Sequence, residues 1–258
     1  MFGRHVGVLA LLALAALAVQ GQPAHAFFQA PAQEKCIADL ERLGGTVFVR
    51  DGHVVEVNLN RTKITDDQLS LVSRFSALTE LSLEDTAIGD QGLAQLEGLA
   101  QLQWLNLYRT RVGDAGLAHL KGLSKLEHLP LGETKVTDAG LKHLAELKRL
   151  TYLGLRGDAI TDAGLVHLKK LTSLTGLHLG QTDVTDDGIP RLQPLVRLRS
   201  LWLHDTRIGD AAMPALTRLQ SLENLYIHRT NLTIHGVKEL KRKLPTCNIY
   251  YRSEREPE

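Results

Sequence analysis

Apolar residues return along this chain with a fixed beat of 24 positions, starting at Val54, Leu78, Leu102, Leu126, Leu150, Leu174, Leu198 and Leu222. Inside each unit the pattern changes twice. A first stretch alternates, as in Leu129-Pro130-Leu131, which places both leucines on one face of a strand. An Asp-x-Gly follows and reads as a turn ahead of a helix. Leucines spaced by three come next, as at Leu141, Leu144 and Leu147, and read as one side of a short helix. One such unit cannot bury its apolar face alone. Stacked units can, with a parallel sheet on one side and short helices on the other.

The stack needs ends. Residues 34–43 read as a helix with Cys36, Leu40 and Leu43 on one face and Gly44 as its stop. Thr46 to Arg50 alternates as a strand, and Asp51-Gly52 is a two-residue hairpin signal leading back into Val54 to Leu59. An N-terminal cap over 27–53, helix plus hairpin strand, then closes the sheet edge. At the far end Leu240 and Leu244 complete a helix that Pro245 stops. Residues 246–258 read as an edge strand around Ile249 and Tyr251, followed by a tail from Ser253.

The unit is written L-x-x-L-x-L-x-x-T-x-I-T/G-D-x-G-L-x-x-L-x-x-L, and 54–245 holds eight copies in phase. In this the chain resembles the leucine-rich-repeat proteins, specifically the bacterial type with an I-T-D-x-G-L core; a related subtype carries Cys where this chain has Thr. The resemblance implies an α/β fold, a right-handed leucine-rich-repeat solenoid with a concave parallel β-sheet and short convex helices. It also implies a binding role and no chemistry.

Three polar columns belong to that scaffold. Thr62, Thr86, Thr110, Thr134, Thr182, Thr206 and Thr230 share one position, broken only by Asp158. Their hydroxyls are expected to satisfy turn backbone. Asp66, Asp90, Asp114, Asp138, Asp162, Asp186 and Asp210 stand just before the helical segments and read as helix caps. His119, His143 and His167 share a helical position beside several lysines and read as a solvated convex face.

Composition adds a leader and removes some functions. Arg4 and His5 precede the apolar run Val6 to Val19, and Ala24-His25-Ala26 is a small-x-small site, so residues 1–26 read as a signal peptide cleaved after Ala26. The run has 14 residues, short of the roughly 20 that a spanning helix needs. The chain is then exported, to a periplasm or outside the cell, with no membrane partner after cleavage. Acidic residues number 29 and basic ones 30, and the leader holds one Arg and no acid, so the remainder is balanced. A nucleic-acid partner calls for a basic excess. Two cysteines lie in opposite caps, with eight strands between them that span roughly 35–40 Å. A Cys36–Cys247 disulfide, which needs Cα atoms within about 7 Å, is excluded.

Function is sought where the repeat varies. The concave face takes the second, fourth, sixth and seventh positions after each repeat start. They carry Trp104, Tyr108, Arg109, His128, Tyr152, Arg156, His178, Trp202, His204, Asp205, Tyr226, His228 and Arg229, which include both tryptophans. Aromatic and Arg side chains are the usual anchors of binding surfaces, and these thirteen are the candidate ligand-binding residues. Pro130, Gly132, Gly154, Gly157, Gly176 and Gly180 leave the middle repeats bare. They suggest a shallow floor between a wall of Trp104 and Tyr108 and a wall of Trp202 and Tyr226. His178, His204 and His228 lie on the same face within reach of a zinc ion, but no Cys or Glu completes the set and no metal or other cofactor is assigned.

The expected function is an exported protein- or peptide-binding scaffold. A glycan or cell-wall ligand is the variant, because Trp and Tyr also stack on sugars. A substrate-recognition subunit resembling ubiquitin-ligase leucine-rich-repeat adaptors is the runner-up, although 27–53 holds no recruiting domain. No nucleophile elbow, phosphate loop or metal-protease motif points to an enzyme.

Overall fold

The computed structural model describes residues 25–251, with side chains from residue 32 onward. The leader expected over 1–26 lies outside these residues except for its last two, and the tail expected from Ser253 lies outside altogether. The chain divides into two compact units, one through Asp39 and one from Leu40 on. A helix runs His25–Arg42, so it starts ahead of the helix expected over 34–43. The described part of the first unit is that helix as far as Asp39, with Cys36 buried. In the second unit the helix ends in two bonds, Gly44 N–H to Glu41 and Gly45 N–H to Leu40. They close around Gly44 at φ +91°, the left-handed stop that glycine provides at lowest cost.

Strand β1 (Thr46–Arg50) turns at Asp51 and Gly52, both at positive φ, into β2 (His53–Asn58) and pairs with it antiparallel. From β2 onward the sheet is parallel: β3 (Glu80–Ser82), β4 (Trp104–Asn106), β5 (His128–Pro130), β6 (Tyr152–Gly154), β7 (Gly176–His178), β8 (Ser200–Trp202), β9 (Asn224–Tyr226) and β10 (Asn248–Tyr250). The ten strands stand in sequence order. Each residue pairs with its equivalent in the next repeat, Leu81 with Leu105 and Leu153 with Leu177, so a column in the sequence is a column in space. The inward columns, Leu81 to Leu225 and Leu59 to Ile227, are buried. This makes the second unit an α/β leucine-rich-repeat solenoid.

The side opposite the sheet is built mostly from 3₁₀ turns and single α turns, such as Asp114–Leu117 followed by Ala118–Gly122, and Gly164–Lys170. The leucine spacing explains this. Three residues per turn is the period of a 3₁₀-helix, and it keeps Leu165, Leu168 and Leu171 on one buried line.

The Asp column does something other than cap its own helix. Asp90, Asp114, Asp138 and Asp210 are the first helical residues, and the capping position before each is Gly89, Gly113, Thr137 and Gly209. Each Asp of the column instead accepts the N–H of a residue in the next repeat, from Asp66 with Gly89 to Asp210 with Thr233, at 2.6–2.9 Å. Where that residue is Thr137, Thr161, Thr185 or Thr233, its hydroxyl donates to the second carboxylate oxygen at 2.5–2.7 Å. The motif's glycine is therefore no turn residue. A Cβ on Gly116, Gly140, Gly164 or Gly188 would lie 2.2–2.5 Å from the previous repeat's carboxylate. Asp and Gly are two halves of one joint between repeats.

The threonine hydroxyls donate to the carbonyl three residues back at 2.6–2.8 Å in six repeats. Thr134 departs from this. Its N–H and hydroxyl both bind Asp158 Oδ1, at 2.7 and 3.0 Å. Asp158 is 3% exposed and its Oδ2 has no hydrogen-bond partner. Burial pushes its carboxyl up to about 7.

Candidate partner-binding face

The strand register sets the outward face. Residues at the second, fourth and sixth positions of each repeat point away from the leucine core, one strand spacing from their equivalents. The seventh position turns the chain out of the sheet. Arg61, Asp85, Arg109, Glu133, Gln181, Asp205 and Arg229 all adopt φ between +53° and +59° there, and Gly157 takes +73°. The parallel ladder tolerates this because from Arg61 to Asp205 the seventh-position N–H donates to the next repeat, as Arg109 does to Gly132 at 3.0 Å and Asp205 to His228 at 3.1 Å.

Over β7–β10 the fourth column is a continuous stack. His178 and Trp202 lie 5.4 Å apart, Trp202 and Tyr226 5.2 Å, and Tyr226 and Tyr250 4.4 Å, each pair within 6° of parallel. Two branches join it. In the sixth column His204 stacks on His228 at 4.6 Å and meets His178 edge-on at 5.1 Å. In the second column Tyr152 stacks on His128 at 6.2 Å and meets Trp202 edge-on at 6.2 Å. Eight rings thus form one connected surface. Burial raises the Tyr152 and Tyr226 hydroxyls above their usual titration range and pushes His178 down to about 4. His178 is neutral near pH 7, with Nδ1 accepting the Gly180 N–H at 3.2 Å.

The glycines among these rings do not make an empty floor. A Cβ on Gly176 would lie 2.9 Å from the Tyr152 ring, and one on Gly180 2.6 Å from the His204 ring. The missing side chains make room for the protein's own aromatics. Trp104 and Tyr108 stand apart from the connected rings. The Tyr108 hydroxyl donates to Glu133, and Arg109 reaches the same carboxylate at 2.7 Å while lying 5.3 Å from the Tyr108 ring centre. Hydrogen bonds from Arg109 and then Tyr108 hold the Glu133 carboxyl below the usual range.

Asp205 is also satisfied within the fold. Arg229 sits on it with Nε 2.5 Å from one oxygen and Nη2 2.7 Å from the other, and His204 Nδ1 lies 2.8 Å from the second. The Arg229 bond keeps the Asp205 carboxyl below its usual range. His204, Asp205 and His228 present ligand-type atoms within 4.8 Å of one another. These are the residues that could hold a metal. Arg229 already occupies the carboxylate, and the parallel imidazoles aim their in-plane lone pairs side by side. His178 does not join this set. Among the described guanidiniums of the face, Arg156 alone holds a neutral partner, the Gln181 amide oxygen at 2.8 Å.

Two residues here carry no signal in the repeat pattern of the sequence. Tyr250 falls in the edge strand expected over 246–258, yet it is the fourth position of a ninth, partial repeat, 24 residues on from Tyr226. Glu133 lacked any aromatic or basic signal; its role appears only once the register sets it beside Tyr108 and Arg109.

The leucine-rich-repeat family matches residues 77–96, which run from the second repeat's strand into its helical turn. The chain carries the leucine-rich-repeat pattern and fold. Among solved structures, this leucine-rich-repeat chain is similar to an internalin from Listeria monocytogenes, with 25% identity and a TM-score of 0.63 over 78% of the chain. The chain spans 54% of that internalin's length. Internalin C2 from the same organism aligns with 22% identity and a TM-score of 0.64, over 86% of this chain and 92% of the other. The leucine-rich-repeat ectodomain of an Arabidopsis thaliana membrane receptor kinase, solved in complex with Casparian strip integrity factor 2, shares the fold. It aligns at 18% identity and a TM-score of 0.55, over 80% of this chain and 25% of the other. The search of curated proteins gives no match.

Proposed function

We propose that this protein is an exported scaffold that holds a protein or peptide against the outward face of β6–β10. The observation that carries the reading is the connected aromatic surface from His128 and Tyr152 to Tyr250. Burial of the core does not require these rings, since the leucine columns lie on the other face. Rings of this kind, half exposed and already ordered by their neighbours, lose little rotamer freedom on binding.

Stacking also bears on the ligand. Trp202 has His178 on one face and Tyr226 on the other, so its ring edges and its N–H are what remain for a partner. Ring edges carry partial positive charge and the Tyr, Trp and His tips donate hydrogen bonds. That suits peptide carbonyls and carboxylates. A sugar stacks on open ring faces, so the glycan variant is the weaker reading. The receptor ectodomain solved with a bound partner supports use of this fold for protein recognition. Export rests on the pattern of residues 1–26; among the described residues no helix is long and apolar enough to cross a membrane.

The test is capture of partners with the chain as bait beside its Trp202→Ala and Trp104→Ala variants. A partner retained by Trp104→Ala and lost by Trp202→Ala supports the face over β6–β10. A partner retained by both moves the site off that face.

A further inference from the structure

Charge divides the outward face. In the second, fourth and sixth columns, the first three repeats hold Glu56, Glu80 and Glu84 and no Lys or Arg. Glu56 and Glu80 are direct register partners and make no ion pair among the described residues. Among the described residues, the same columns from β5 to β10 hold no carboxylate, and their one formal charge is Arg156. The other guanidiniums bordering this half are taken: Arg109 by Glu133, Arg207 by Asp183 and Arg229 by Asp205. Arg156 is bonded to an amide oxygen, which satisfies one donor; the Glu133 carboxylate feels the Arg156 charge but spends its hydrogen bonds on Arg109 and Tyr108. Its neighbours in the sixth column are Gly132 and Gly180, which carry no side chain, and it lies near enough to His178 to depress that ring's titration.

We propose that the outward face takes an extended partner segment with an Asp or Glu side chain on the Arg156 guanidinium. Flanking apolar residues of that segment lie along the Tyr152–Trp202–Tyr226 rings. The proposal rests on the face over β6–β10 being the binding surface and adds the partner's chemistry. A guanidinium receives a carboxylate through paired N–H donors. The face continues on both sides of Arg156, so the carboxylate belongs to a side chain within the segment. The unpaired Glu56 and Glu80 repel acidic residues from the first strands, which fixes the direction in which an acidic segment lies.

The test is a selection of random 12-residue displayed peptides on the full chain, with affinities of the enriched peptides then measured on variants. The expected result is an excess of Asp and Glu among the enriched peptides. Their affinity should fall at least tenfold on Arg156→Gln with the melting temperature unchanged, and stay within twofold on Arg191→Gln, a residue on the helical side. Enriched peptides without an acidic excess, or indifferent to Arg156→Gln, overturn the proposal. If those same peptides still lose affinity on Trp202→Ala, the binding face stands and only the acidic chemistry falls. Indifference to both variants, or no enrichment, removes both.

Discussion

In the fourth and sixth columns beside β2–β4, Asn60, Ser82, Glu84 and Asn106 are bonded to one another. Asn60 Oδ1 accepts from Ser82 at 2.5 Å and from the Glu84 N–H at 2.9 Å, and Asn106 donates to Glu84 at 3.1 Å. On β6–β10 the equivalent positions carry rings stacked on one another. The backbone register, the buried leucines and the Asp–Gly joints are the same in both regions. Two surfaces of different chemistry therefore sit on one scaffold. Stability is a property of the repeated columns, and recognition a property of what varies between them.

Asp158, which ties the β6 repeat to the β5 repeat through Thr134, gives the largest expected effect. Unfolded, its carboxyl titrates at the ordinary 3.8, and folded at about 7. Between these values the folded state holds a proton that the unfolded state has released. The stability this contributes is whole below about 3.8, declines as pH rises, and is gone above about 7. Asp158→Thr restores the column's residue, and its melting temperature should exceed that of the parent at pH 8 and approach it at pH 4. A shift from 3.8 to about 7 corresponds to on the order of 4 kcal/mol. A gap between the two proteins that does not change with pH would place the strain elsewhere.

The joints come next. Gly92→Ala in the polar region and Gly188→Ala in the aromatic region each push a methyl into a carboxylate, with Cβ 2.6 and 2.2 Å from the oxygen. Both should lose about 1–3 kcal/mol in denaturant unfolding. Equal losses confirm a common scaffold; a loss in one region alone would break the comparison. Smaller still, Tyr250→Ala removes the last ring of the stack and should cost about 0.5–1.5 kcal/mol by thermal unfolding. Asn60→Ala should cost about 1 kcal/mol and leave partner binding unchanged.

The repeated columns made the scaffold legible in the sequence. A 24-residue period places every inward leucine, and Asp51-Gly52 names its own turn. The Asp column was visible, but its role was not, because its hydrogen bonds reach 23 residues ahead and only stacking brings the partners together. The face was half legible. Position numbers put Trp202 and Tyr226 on one column, whereas the filling of Gly176 and Gly180 by neighbouring rings depends on side-chain rotamers that no pattern encodes. Trp104 shares the outward face with Trp202 but sits in the second column, not the fourth. Its neighbours in the register are Glu80 and His128, and no ring stack incorporates it.

The most direct test of the account is a side-chain footprint of the chain with and without a captured partner, read at its tyrosines and tryptophans. The account predicts protection at Trp202, Tyr226 and Tyr250 with Trp104 unchanged. Protection at Trp104 and Tyr108, with the Trp202 stack still open to the reagent, would contradict it.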